Sequence, residues 1–588
     1  MIDGALIDRP LIDTVVIPCF NPQRETIDLV AQLADHINSV IVIDDASDMI
    51  SPSYYRRLSS LDNVVVVRKT VNRGVAHSLN IGFTMAMTAG SKYVLTLDQD
   101  ADVPSDFVAG LGRAISELER DDIEFGAVGP GVVNGFAYAY TNRNGVMEMQ
   151  EIMQSGAVFR TEALRIAGLA DESLVIDSVD TDLCLNLRKH GFEVFADGRV
   201  HLSHRIGRGQ SISLLGKEIS VTNHSSRRRY YLTRNRLVMF GRYGASERTW
   251  LLSGIFWLAV STLLAVTVEE GRTQAFHEVR RGMVDAVRGT LGRRGGSLPG
   301  TVSHRRSEGV AVVVVAGGGR DRVARQLQSV MNQTLPPAAV IIVDERSGDG
   351  AKQFAADYLR RFPQVECLSI DAPEDTQGVT ASGLAAGLQA AARFRFIAIA
   401  EVGEIWEPGR LARQRARLQQ SGAVMTAAPG IAVAVNGDPV GDEVRNLFPT
   451  LKHWNLAGPV ERLHAVLREP APARAAVMMT NRMVPSALPI PAGWEAHRWL
   501  ELVAVVQDSL DSDDQSVMRY RISRDAGPSK RRLREKVSAP VNSALKLRDV
   551  SRRLRSIATH DAIEKELAAH RIARTFLQAG GRSDELDF

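Results

Sequence analysis

Cysteine is scarce in this chain. Only Cys19, Cys184 and Cys367 occur among 588 residues, far apart and without metal-ligand spacing. That excludes a disulfide framework or a zinc site and fits a reducing cytosol. An excess of one charge is also missing. The 71 basic residues nearly balance the 68 acidic ones, for a net charge of +3, so bulk charge gives no case for nucleic acid. The opening "MIDGALIDRPLIDTVVIPCF" has acids where a secretory signal would be basic, and no long apolar centre. No such signal is expected there. Long apolar runs are nearly absent. The exception, "WLLSGIFWLAVSTLLAVTV" from Trp250 to Val268, carries no charge and reaches the roughly 18-residue length of a membrane span. It could cross a bilayer, lie on its surface, or pack against protein.

What is present is ordinary for a folded protein: 45% hydrophobic and 24% charged residues. At roughly 100–200 residues per domain, the length predicts three or four units. Over the first 200 residues, β-branched runs alternate with helical patterns. The strand candidates are "TVVIPCF" (14–20), "SVIVIDD" (39–45), "NVVVVRK" (63–69) and "YVLTLDQD" (93–100). Such alternation predicts an α/β fold on a parallel sheet buried on both faces. Ligands of these sheets bind beyond the carboxyl ends of the strands. Polar residues stand there: Asn21, Asp44, Asp45, Asp98 and Asp100.

The pattern then recurs. "SVIVIDDASD" (39–48) is echoed by "AVIIVDERSGD" (339–349), and "VLTLDQDADVPSDF" (94–107) by "IAIAEVGEIWEPGRL" (397–411). The offsets are steady: 300 from Asp44 to Asp344, 304 from Gly74 to Gly378, 303 from Asp98 to Glu401. Two copies of one domain are expected, at 1–245 and 306–526. A hydrophobic and basic segment with a linker falls between them at 246–305, and a basic helical tail follows at 527–588.

Three constellations can carry chemistry. Asp98 and Asp100 stand two apart at a strand end, so their carboxylates would share one side. They read either as a hard-oxygen site for Mg²⁺ or Mn²⁺ or as a solvated loop; Asp102 suits a helix cap before "VPSDF". Asp177, Asp180 and Asp182 precede the helical "LCLNLRKHG". They read either as first-turn capping or as containing a general base. His204, after a short strand pattern, is either structural or a metal ligand.

In this order, these pieces resemble the family 2 glycosyltransferases of GT-A fold. The resemblance covers most of residues 12–290. It rests on "VIPCFN", "VIDDASD", "NRGVAHSLNIGF", the DxD of "LDQDAD", "MQSGAVFRTEAL", the acidic "VDTD", the later His and "RRRYYLTRN". It is nearest the rhamnosyltransferase subgroup, whose "DQD", "YY..RN" and spaced acidic segment all have counterparts. Asp182 departs from the pattern, which more often has Glu. The resemblance implies two tandem GT-A (Rossmann-like, nucleotide-diphospho-sugar transferase) domains. In the first, Pro18, Cys19, Phe20, Asn21, Asp44, Asp45, Asn72 and Gly74 would line the nucleotide pocket, with Arg234 on phosphate. Asp98, Asp100 and His204 would hold Mn²⁺ or Mg²⁺ on the diphosphate. Asp180 would be the base, and Gly156, Asp177 and Asp182 would position donor or acceptor. The implied reaction is inverting transfer, of L-rhamnose from dTDP-L-rhamnose, to a polyprenyl-linked or polysaccharide acceptor of the cell envelope. A UDP-sugar donor such as UDP-galactofuranose is the alternative, as is a non-catalytic scaffold. The implied setting is the inner face of the cell membrane, peripherally attached, with homo-oligomers possible. In the second copy Gly403 replaces the second acid of the motif, and His497-Arg498-Trp499 stands where His-Asp-Trp is usual. That copy is expected to have lost catalysis; if it has not, the protein is bifunctional.

Overall fold

The computed structural model describes residues 11–294 and 308–521, with 553–559 and 563. Breaks fall at 49, 135, 138–144, 205–208, 215–216, 223–225 and 268–271 in the first stretch. In the second they fall at 317–318, 345–349, 363, 372–378, 402–403, 434–453, 455–456, 469–475, 492–493, 495 and 514. The side chain of His204, the loop with Gly403, the linker at 295–305 and most of the basic tail therefore lie outside the described residues. The chain divides into two compact units, Met1–Ser303 and His304–Phe588.

The first unit begins β1 (Thr14–Cys19), α1 (Arg24–Ala34), β2 (Ser39–Asp44), α2 (Pro52–Ser59), β3 (Val64–Lys69), α3 (Val75–Ala89) and β4 (Tyr93–Thr96). These four strands are parallel, in the order β3-β2-β1-β4. Val, Ile and Leu dominate them because helices cover both faces; Val15, Val16, Val40, Val42, Val94 and Leu95 are fully enclosed. The short β5 (Ala101–Asp102) leads to α4 (Phe107–Arg120) and the long β6 (Phe125–Val133), against which β7 (Phe136–Ala137) turns back. Then come β8 (Val146–Met149), β9 (Ala157–Arg160), α5 (Thr161–Ala167), α6 (Val179–Lys189) and β10 (Glu193–His204). β9 inserts antiparallel between β4 and β6, and β10 extends the sheet parallel to β6, with β8 at its far edge. The order is thus β3-β2-β1-β4-β9-β6-β10-β8. A hairpin, β11 (Gly209–Leu214) and β12 (Lys217–Thr222), precedes three helices: α7 (Ser226–Tyr243), α8 (Arg248–Thr267) and α9 (Arg272–Val287).

The predicted parallel sheet is present. Its fourth strand is shorter than the apolar run implied, because it ends at Thr96 and residues 97–100 turn away. The segment set apart from the sequence as 246–305 is packed, as far as residue 294, on the first unit. Gly292 N–H donates to the Ser173 carbonyl (2.7 Å), and the Arg294 N–H donates to the Tyr231 hydroxyl (2.9 Å).

The second unit repeats this plan. Strands 366–371, 339–344, 310–316 and 396–400 are parallel in that order. Strand 476–480 inserts antiparallel, followed by 425–428 and then 510–512. Each has a counterpart in the first unit, through β10. The internal repeat is therefore one of topology as well as of sequence.

Candidate active site

The site of the first unit lies beyond the carboxyl ends of β1, β2 and β4, where chain direction makes the loops converge. Asp98 and Asp100 sit in the turn after β4 and not on the strand, so shared strand-face geometry does not apply. Asp98 is half-buried and Asp100 exposed. Between them, Gln99 fastens this turn to the end of β1. Its Oε1 accepts from Phe20 N–H (2.7 Å), its Nε2 donates to the Phe20 carbonyl (3.2 Å), and its own carbonyl accepts from Thr26 Oγ1 (3.0 Å).

The 18–21 and 44–47 loops form the next wall. Pro18 and Cys19 are buried, while Phe20 is about half exposed. Burial pushes the Cys19 thiol well up, so it stays neutral. Asn21 holds a positive φ of 47°, and its N–H donates to Ser47 Oγ (2.7 Å). Asp44 is enclosed, accepting from the Tyr55 hydroxyl (2.8 Å) and from Ser47. Burial raises its pKa above the usual carboxylate range, against those hydrogen bonds. Asp45 faces the 69–74 loop. Its oxygens accept the backbone N–H groups of Arg73 and Gly74 (both 2.8 Å) and pair with buried Lys69 (2.5 Å). Asp45 thus holds this loop beside the carboxyl end of β2. Gly74 has φ 92°, and a Cβ there would stand 2.3 Å from the Val175 carbonyl oxygen, so only glycine fits. Asn72 accepts from Arg293 through its carbonyl (2.5 Å).

The acidic segment folds as a strained turn. Val175, Asp177 and Ser178 all have positive φ, at 70°, 62° and 60°, a costly conformation for side chains with a Cβ. At Val175 the chain makes a γ-turn, with Ile176 N–H donating to the Leu174 carbonyl (2.8 Å). Helix α6 begins directly after it, placing Asp180 and Asp182 in its first turn. These two go different ways. Asp182 ties α6 to α7, accepting from the Tyr243 hydroxyl (2.8 Å) and Arg242 (3.2 Å). Asp177 pairs with Arg228 (3.0 Å). Asp180 accepts the Thr181 N–H (2.9 Å), and its carboxyl is pushed up to about 6 by burial and then by the nearby Glu151 carboxylate, with Asp177 adding to the rise.

Segment 151–156 joins the two acidic centres. Glu151 accepts from Thr181 Oγ1 (2.7 Å), beside Asp180, and from Arg236 (3.0 Å). Three residues on, Gln154 Nε2 donates to Asp98 Oδ1 (2.5 Å), and Ser155 Oγ accepts the Asp98 N–H (3.0 Å). A three-residue step spans at most ~11 Å. Glu151 and Gln154, whose side chains bond Thr181 beside Asp180 and Asp98 respectively, thus connect the two acidic stretches through one short segment. Gly156 closes the segment with φ 89°; a Cβ would meet Leu202 at 2.8 Å, and its N–H donates to the Thr96 carbonyl (2.7 Å).

The donor set at the 98–100 turn suits a hard divalent cation. The turn carries two carboxylates, and Gln154 Oε1, whose amide bonds Asp98, is buried with no hydrogen-bond partner among the described residues. No group of three His, Cys, Asp or Glu side chains able to hold a metal occurs among those residues. The His204 backbone pairs with Ala101, one residue beyond Asp100.

Residues 14–166 match the model described as glycosyl transferase family 2, and 307–438 match glycosyltransferase like family 2. The chain carries two family 2 glycosyltransferase domains. A relative from Shigella flexneri, named dTDP-rhamnosyl transferase RfbF, is 24% identical over 295 residues, covering 47% of this chain and 96% of that protein. Among solved structures, S. aureus TarS 1-349 is 14% identical and covers 47% of this chain and 81% of that one, at a TM-score of 0.33. The mannosyltransferase PcManGT from Pyrobaculum calidifontis, in complex with GDP-Man and Mn²⁺, is 19% identical and covers 50% and 79%, at 0.32.

Within the first glycosyltransferase domain, one sequence assignment needs correction. Arg234 does not reach phosphate. It is fully enclosed, stacked against Tyr230 and Tyr231, and donates to the carbonyls of Gly292 (2.6 Å), Ser173 (3.2 Å) and Leu174 (3.1 Å). Asn235 Nδ2 donates to the carbonyls of Leu174, Ile176 and Asp177 (3.0, 2.8 and 2.8 Å). The Arg-Asn pair thus holds up the strained turn that presents Asp180. Glu151, Gln154, Ser155, Arg236 and Gln99 carried no assigned role in the sequence. Gln154 and Ser155 lay inside the quoted "MQSG", and Gln99 inside "DQD".

The second glycosyltransferase domain has a different centre. Glu401, the counterpart of Asp98, is engaged by His497 Nε2 (2.5 Å). Burial pushes His497 down, but Glu401 and other carboxylates around it outweigh that and carry it to about 9. Nearby, buried Glu404 is bonded by Trp406 (2.9 Å) and Arg410 (3.3 Å), with Arg410 stacked 3.7 Å from the Trp406 ring. Where the first domain gathers carboxylates, this one neutralises them internally.

Proposed function

We propose that the first domain is a metal-dependent, inverting glycosyltransferase moving L-rhamnose from dTDP-L-rhamnose to a cell-envelope glycan. The observation that supports this reading is segment 151–156, whose side chains bond Asp98 at one end and Thr181, beside Asp180, at the other. The rhamnosyl donor is supported by the similarity to the Shigella flexneri protein.

In this reading the nucleoside lies against Phe20, Asn21 and the loop that Asp45 braces. Asp98 and Asp100, with His204, would hold Mn²⁺ or Mg²⁺. A bound cation supplies Lewis-acid stabilisation of charge on the departing diphosphate. Asp180 accepts the proton of the acceptor hydroxyl as its oxygen attacks the anomeric carbon opposite the diphosphate. Its raised proton affinity suits a base working near neutral pH. Arg236, bonded to Glu151, limits the negative charge around it. One displacement inverts the anomeric centre.

A transfer assay with dTDP-L-rhamnose, beside binding of the same donor, tests this. Asp180→Asn should keep donor binding and lose turnover by about 10²–10⁴-fold. Unchanged turnover in that variant would refute the assignment.

A further inference from the structure

Helices α8 and α9 leave apolar side chains in the open. Among the described residues, nine of the eleven exposed large apolar side chains belong to these two helices. Phe256 and Trp257 are 60% and 64% exposed, and Val287 is 88% exposed. Scattered single exposures are normal, whereas clustering on adjacent elements marks an interaction surface. On α9, Phe276, Met283 and Val287 recur at seven and four residues, one stripe of a 3.6-residue period.

Each helix also has positions packed on protein. Trp250 and Ala265, near the two ends of α8, are buried, as are Ala275 and Val279 of α9. Trp250 meets Phe240 edge to face (ring centroids 5.6 Å) and lies under Arg236 (4.8 Å), the arginine that bonds Glu151 beside Asp180.

Among the described residues of the two helices, the exposed charges are arginines. Arg248, Arg272, Arg280, Arg281 and Arg288 are exposed. The carboxylates of α9 are engaged inward, Glu278 with Arg294 (2.6 Å) and Asp285 with the Tyr230 hydroxyl (2.7 Å). Glu269 and Glu270, between the helices, lie outside the described residues. Arg242, also a candidate for this role, is instead paired with Asp171 (2.7 Å).

We infer that the α8–α9 pair is an in-plane docking surface for an anionic bilayer. Apolar side chains enter the headgroup–acyl boundary while long arginines reach phosphates. By length and composition α8 could cross a membrane. The in-plane arrangement is inferred because Trp250 and Ala265, near the two ends of α8, are packed on protein, and a crossing would undo that packing. Resting on the transferase reading, the inference narrows the acceptor to a glycan on a lipid carrier, delivered where Arg236 and Asp180 stand behind the docked face.

The test is co-sedimentation of the full chain with phosphatidylcholine vesicles, with and without phosphatidylglycerol. Wild type should pellet with the anionic vesicles and be released by added salt. Phe256→Glu/Trp257→Glu should stay in the supernatant while hydrolysing soluble donor at the wild-type rate. Arg280→Gln/Arg281→Gln should lose the preference for phosphatidylglycerol and decides the matter should the first variant fail to fold. Wild type remaining in the supernatant would overturn the inference. So would equal pelleting of the variants, or a dimer in light scattering that the Phe256/Trp257 variant converts to monomer. Donor hydrolysis reads the transferase assignment separately, so the two can fail independently.

Discussion

Asp180 is where proton affinity and position meet. Its carboxyl is raised to about 6, above the ordinary value near 3.9. A base must be ionised, so kcat/KM should rise with pH through an acidic limb near 6. Glu151→Gln removes a carboxylate that raises this value, so the limb should move to lower pH; an unmoved limb would detach Glu151 from the base. The same shift bears on stability. The folded state favours protonated Asp180, so that stabilisation is full below the unfolded value and is lost as pH rises through about 6. Asp180→Asn should therefore melt higher than wild type above pH 6, by on the order of 2 kcal/mol, while losing turnover. Thermal melts at pH 5 and pH 8 check this. Glu151 and Arg236 could not be read from the sequence as partners of Asp180, since they lie 29 and 56 residues away. Arg234 misled because a charge in a sequence reads as exposed. Only the fold shows it enclosed against carbonyls.

Among elements, the strained 173–178 turn does most to set the site's geometry. Three residues there hold positive φ, and the cost is offset by carbonyls bonded to Arg234 and Asn235. Asn235→Ala removes the contacts of Nδ2 with three carbonyls and the bond its Oδ1 accepts from Arg234 Nε, and about 1–3 kcal/mol of stability should go with them. The fall in kcat should exceed any loss of donor affinity, since the turn carries the base directly and meets the nucleotide wall only where Val175 packs on Gly74. Equal loss of donor binding would show a wider collapse. Gly74 beneath Val175 is as demanding: Gly74→Ala should destabilise the first domain through both its φ and its 2.3 Å approach. The parallel strands were legible because β-branched runs report burial directly. The end of β4 was not. Apolar Leu97 continues the run into the turn, and the stop is set by Gly156 N–H taking the Thr96 carbonyl, a long-range contact.

Across the whole molecule, one strand order serves two domains with different electrostatics. His497, raised to about 9 beside Glu401, stabilises its domain fully below the unfolded value near 6.5 and loses this as pH rises through 9. Glu401→Gln should flatten that loss in melts taken between pH 7 and pH 10. The duplication was legible through steady offsets; the ion pair that replaces the acidic cluster was not, since His497 and Glu401 meet only through the sheet. The first domain alone should therefore bind nucleotide sugar through metal. Calorimetric titration of the intact chain with dTDP-L-rhamnose, with and without Mn²⁺, is the most direct measurement. The predicted result is one equivalent per chain, bound only with Mn²⁺ and lost in Asp98→Asn/Asp100→Asn. Binding without metal, or unaltered in that variant, would contradict the account.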